Sequence, residues 1–334
     1  MTDRTPLPLP RDAATAGRPL AARPVAVNPA IGPSRRRVLL GGAALFGTGV
    51  VAGTAGALGW AAQSSVFRDW MRRRGRAALS ALAAEVIPVA GVVLPVSFGD
   101  SVWRLVQGGA IVPAKLDRLY AARGGLPRWA RTLLSEGSAD PIRVSAETAP
   151  VLLDLLWPLG LANRAAFNER SPLNGPGLGR FASTGGWTLG TRPGGELFNT
   201  VEAVHLDAAR ERVVVAAARK SFRPCCDNSA FFQDCNHGSA LLGLYQLAAA
   251  QGASSADLFR IGKLANSYWY PQHYLAAAIY FRRVEELGWT EVDPARLMGR
   301  RYSSASGWRR NIDARLRAVG LRPANDSSAG GCAI

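Results

Sequence analysis

The residue types with the most chemistry lie between positions 225 and 237, in the run Arg223-Pro224-Cys225-Cys226-Asp227-Asn228-Ser229-Ala230-Phe231-Phe232-Gln233-Asp234-Cys235-Asn236-His237-Gly238. Thiolates are nucleophiles and soft metal ligands, and imidazole is the commonest nitrogen ligand. Cys225, Cys226, Cys235 and His237 together offer the sulfur and nitrogen set that zinc, copper or iron takes. The spacing lacks Cys-x-x-Cys, so two other chemistries stay open. Cys235 could be an attacking thiol with Cys225 or Cys226 as its resolving partner. Alternatively, one disulfide from Cys235 to the pair would staple a loop in a non-catalytic scaffold, leaving an odd thiol beside it.

The elements around the cluster follow from its composition. Pro224, Asp227, Asn228 and Ser229 predict a loop, and the apolar run after Gly238 predicts a helix. Cys235 and His237 then stand at a helix N-terminus, with Asp234 or Asn236 available as cap. The positive end of the helix dipole favours thiolate there.

Two more histidines could complete a ligand set. Glu202 and His205 are three residues apart, which on a helix places them on one face; a carboxylate-bridged di-iron site needs a second such pair, and the chain has none. His273 opens an aromatic stretch, where packing explains it as well as ligation does. Cys332 lies in a Ser/Gly tail. No Gly-x-Ser-x-Gly occurs, so the serines near residue 304 lack a nucleophile-elbow context.

The body reads as mainly α, a single globular multi-helix domain over residues 66–323, with a possible sub-boundary near 165–200 and a flexible tail at 324–334. The predicted helices include one opened by Asp100, one with Pro113 in its first turn, one from Ser145 or Thr148 through Trp157, and others over 200–220, 238–251, 255–265, 272–287 and 309–319. Gly252 and Gly288 are placed to end helices. A single short hairpin is the most strand expected. Residues 171–195 form a long Gly/Pro-rich loop, and a loop of that length in a folded domain is expected to be functional.

The chain has 334 residues and a net charge of +16. No basic run is interleaved with aromatics to stack bases, so nucleic acid is set aside as a partner. Arginines instead flank an uncharged segment: Arg35, Arg36 and Arg37 before it, then Arg68, Arg72, Arg73, Arg74 and Arg76 after it. That placement suits the anionic surface of an inner membrane. The stretch over 66–88, with Trp70, Leu79, Leu82 and Val86, reads as amphipathic. Residues 1–33 read as a disordered leader.

Ser34-Arg35-Arg36-Arg37-Val38-Leu39-Leu40 resembles the twin-arginine export signal, with Val38 and Leu40 where the signal has Phe and Lys. The segment 34–65 that it opens is long enough to span a bilayer and also offers small residues for cleavage. The resemblance implies the twin-arginine export machinery as a partner. It also implies a body on the periplasmic face of a bacterial inner membrane, or in the periplasm after cleavage.

The runs at 181–190, 224–238, 266–271 and 302–307 resemble a family of uncharacterised exported bacterial and archaeal proteins, over most of residues 90–310. Cys-Cys…Asp-Cys-Asn-His-Gly is the most specific part. Asp227 stands where the family pattern has Gly, and Gln233 where it has Pro. The resemblance supports a site at 225–237 without implying a reaction.

Overall fold

A computed structural model describes residues 76–321. The leader 1–33, the signal or anchor segment 34–65, Trp70, the arginines before Arg76, and the tail with Cys332 lie outside the described residues.

Leu79, Leu82 and Val86 recur at helical spacing and are buried in α1 (Arg76–Val86), so this amphipathic helix packs on the body. β1 (Val92–Gly99) follows, then α2 (Ser101–Gln107), α3 (Pro113–Ala121) and α4 (Arg128–Ser135). The chain then returns as β2 (Ser138–Val144), antiparallel to β1, with Val92 opposite Val144 and Gly99 opposite Ser138. Irregular pairing interrupts the ladder between Val93 and Gly99, where Pro95 and Pro141 supply no N–H. The expected hairpin is therefore a strand pair closed by three helices.

The core is helical. α5 (Ala149–Ala162) continues past Trp157, where the sequence suggested it would stop, through Pro158. After the 171–195 region come α6 (Ala208–Lys220), α7 (Asn236–Ala250), α8 (Ser255–Trp269) and α9 (Pro271–Val284). α7 is buried on nearly every side, with Leu241, Leu242, Leu244 and Tyr245 inaccessible or nearly so. α5 and α7 approach through two glycines. A Cβ at Gly160 would run into the carbonyl of Ser239, and one at Gly243 into the carbonyl of Leu156. A capping box of Ser254 and Asp257 opens α8, and Pro271 occupies the first turn of α9.

Several expectations are corrected. The helix predicted over 200–220 begins only at Ala208, capped by Asp207. Before it, the side chain of buried Asn163 takes over the backbone: its Oδ1 accepts the N–H groups of Ala203 (3.0 Å) and Val204 (2.8 Å), and its Nδ2 donates to Val204 O (3.0 Å). Glu202 and His205 therefore do not share a helical face. Gly252 has the positive φ of a helix-ending glycine, but Gly288 does not; α9 ends at Val284 and Glu286 takes the left-handed conformation instead. The helix expected over 309–319 is a π-helical turn, Arg309–Asp313, followed by Ala314–Ala318. The 171–195 loop carries short helical turns at Leu178–Arg180, Ala182–Gly185 and Gly194–Leu197. Among the described residues no helix is long and apolar enough to cross a membrane.

Candidate metal centre

The cluster is built by a loop folded over the start of α7. Backbone bonds anchor the loop's approach: Ala230 N–H donates to Ser221 O (2.8 Å), Phe231 N–H to Ala218 O (3.2 Å) and Phe222 N–H to Met298 O (2.8 Å). The loop's outer edge meets the segment before the π-helical turn. There Ala305 N–H donates to Cys226 O (3.0 Å) and Ser306 N–H to Asp227 Oδ1 (2.7 Å). Asp227 is thus spent on that segment. Burial alone would raise its carboxyl, but hydrogen bonds from Ser306 and Ser304, with the charge of Arg309, together hold it below the usual range.

Cys235 itself is the N-cap of α7. Its backbone is extended and its Sγ accepts the N–H of Gly238 at 3.4 Å. The expected caps are occupied elsewhere. Asp234 binds Arg223 and Asn228, and Asn236 Oδ1 accepts from its neighbour His237. The sulfur therefore faces the orphan donors of a helix start, where negative charge is favoured.

The sulfur atoms of Cys225, Cys226 and Cys235 all lie within 4.8 Å of one another, and Cys225 and Cys235 are 3.6 Å apart. None of the three is in a disulfide, so the alternative reading of a disulfide staple is not met. Four ligands placed tetrahedrally at the usual zinc–sulfur length stand about 3.8 Å apart, so these sulfurs are already close to a mononuclear ligand spacing. Cys235 is the least exposed of the three. That leaves Cys225 or Cys226, rather than Cys235, to meet any external electrophile.

Arg223 is the residue that sequence reasoning passed over. Its side chain is fully buried and crosses the first turn of α7. Nε donates to Cys235 Sγ (3.3 Å), Nη1 to Asn228 O (2.7 Å), and Nη2 to Asp234 Oδ1 (2.5 Å). A Cβ at position 238 would collide with this guanidinium, so Gly238 is what lets it lie there. Burial works against the charge of Arg223. The electrostatic pull of Cys235, Cys226, Cys225 and Asp234 outweighs that and holds its pKa well above the ordinary value. Tyr270 is the second residue missed. Its buried hydroxyl donates to Cys225 Sγ at 2.9 Å. Burial, then the neighbouring thiolate charges, push its pKa far up, so it stays a proton donor.

Three thiols this close compete for ionisation. The Cys226 thiol is pushed far up, first by sharing hydrogen bonds with Cys225 and Cys235 and then by burial. A cation among the sulfurs removes that conflict, because metal binding displaces the proton. Donors from Arg223, Tyr270 and the Gly238 amide are the kind of outer partners that orient ligating thiolates.

His237 sits beside the sulfurs but is not one of the mutually close ligand atoms. Burial lowers its pKa to about 4, so the ring is neutral near pH 7. Its Nδ1 is 2.9 Å from Asn236 Oδ1; an amide oxygen only accepts, so the proton is on Nδ1 and Nε2 keeps its lone pair. The ring packs against Tyr270 and Trp269. His273 packs edge-on against Trp308 with centroids 4.5 Å apart and is not in the close thiol set. Glu202 and His205 are also outside that set. They line a cavity with Leu247 and Gln251, at the other end of α7 from Cys235. That end is about 22 Å away along the helix, so the idea that they complete the thiol site is corrected.

No protein-family model matches the chain, and no curated protein or solved structure is significantly similar to it.

Proposed function

We propose that this chain is an exported or membrane-anchored protein whose helical body holds one transition-metal ion on Cys225, Cys226 and Cys235, with His237 Nε2 as a candidate for a fourth ligand. The observation that carries this reading is the convergence of three sulfurs outside any disulfide within 4.8 Å at a helix start, with buried donors on two of them, Cys235 and Cys225. Zinc, copper and iron all accept such a donor set. Two sulfurs on different irons of a cluster would stand farther apart, so a single ion fits better than an iron–sulfur cluster.

The address rests on the sequence. Arg35 and Arg36 before the uncharged segment 38–65 support recognition by the twin-arginine machinery, and the flanking arginines support contact with the inner-membrane surface. The family resemblance over residues 90–310 supports the same exported address. That route carries folded proteins, so a metal could be loaded before export. Replacing Arg35 and Arg36 by Lys should leave the chain in the cytoplasm, as measured by fractionation; unchanged export would remove this part of the reading.

Elemental analysis of protein purified from the periplasmic side tests the metal. About one metal atom per chain is expected, falling to trace in Cys235→Ser. No metal above trace, with two of the three thiols blocked as a disulfide, would overturn the metal reading.

A further inference from the structure

The long Gly/Pro-rich region has a second feature that the metal centre does not use. One side of it supports the cluster loop: Ser183 N–H donates to Asp234 O (3.2 Å), and the Phe181 ring packs on Phe232 with centroids 5.3 Å apart. Its continuation, 184–196, lines a separate cavity of about 630 Å³ with Lys115 of α3.

The chemistry of this cavity is one-sided. Lys115 and Arg192 contribute two positive charges and Glu196 the only negative one among the lining residues. Lys115 Nζ donates to Gly190 O (2.6 Å) and Thr188 O (3.2 Å), so the ammonium is fixed in the wall with its third donor unspent. The backbone N–H groups of Thr188, Gly190 and Arg192 have no protein partner among the described residues. For Gly190, a buried residue, an orphaned amide is costly unless something occupies it. These amides alternate with the Thr191 N–H, which donates to Gly109 O, and beside the fixed ammonium they are donors that an anion can take. Beside them Trp187 and Pro193 give an apolar wall.

We propose that this cavity binds a small molecule with an oxyanion headgroup and an apolar body. The headgroup meets Lys115, Arg192 and the free amides, and the body lies against Trp187 and Pro193. The proposal does not depend on the metal reading, because none of the cavity's lining residues belongs to the thiol cluster.

Calorimetric titration of metal-free full-length protein with phenyl phosphate and with inorganic phosphate tests it. Phenyl phosphate should bind at one site, with inorganic phosphate competing more weakly. Arg192→Gln should weaken phenyl phosphate about tenfold, the scale of one charge-assisted contact. Lys115→Met should weaken it at least as much, and Cys235→Ser should leave it unchanged. Benzoate binding in place of phenyl phosphate would support the same site with a carboxylate headgroup. Absence of binding by all three probes at millimolar concentration, or equal affinity in Arg192→Gln and wild type, would overturn the proposal.

Discussion

Both ends of α7 gather an arginine, a carboxylate and a histidine, but only one of them adds thiols and buries the set. At its start, three thiols, an arginine, an aspartate and a histidine converge under cover. Beyond its last turn, Glu202 and His205 lie with Arg104, Arg164 and Asp100 around an open cavity of about 540 Å³. There the charges pair in solvent; Arg164 and Glu202 are 2.9 Å apart with side chains 56% and 74% exposed. Pairs so exposed contribute about 0–1 kcal/mol. At the thiol end Arg223 is 0% exposed and every donor it has engaged faces a sulfur, a carboxylate or a carbonyl. Beyond the thiols themselves, convergence and burial separate a candidate site from a solvated surface.

The largest test of that contrast removes the buried cation. Arg223→Met leaves Asp234 and the thiols without their counter-charge and should cost about 3–5 kcal/mol in urea unfolding, together with any bound metal. A near-neutral outcome would mean the thiols are un-ionised and the two ends alike. Gly238→Ala comes next. On an exposed helix this change stabilises, but here the new methyl meets the guanidinium, so a loss of about 1–3 kcal/mol is expected. Tyr270→Phe keeps the packing and removes one donor from Cys225. It should cost about 1 kcal/mol and make Cys225 slower to alkylate near neutral pH, because its thiolate loses a donor. The smallest effects belong to the other end: Glu202→Gln and His205→Ala should each change stability by no more than about 0.5 kcal/mol and leave metal content untouched.

The sequence shows some of this plainly and hides the rest for identifiable reasons. Helices such as α7 and α8 are legible because apolar periodicity and capping residues agree. Cys235 at a helix start was legible for the same reason. Arg223 was not, because nothing in a chain so rich in arginine distinguishes a buried one. The only local trace is the glycine at 238, whose need becomes visible once the guanidinium is seen across it. The stretch 200–207 looks helical by composition and is not, because one distant side chain, Asn163, diverts its backbone hydrogen bonds. The 171–195 region is evident as a loop from its glycines and prolines, but its amides and Lys115 meet only through tertiary contact.

The glycine seam between α5 and α7 has a consequence in time rather than in space. Backbones that touch at Gly160 and Gly243 leave no side chain to rearrange between them, so the two helices separate only if much of the core comes apart. Amide protons along residues 240–244 should then exchange with solvent at the rate of global opening. The amides at 227–229, on the outer edge of the loop, donate to no backbone carbonyl and should exchange far sooner. Anything held by the three sulfurs would accordingly enter and leave by the loop's fast breathing, while the wall it rests on stays still.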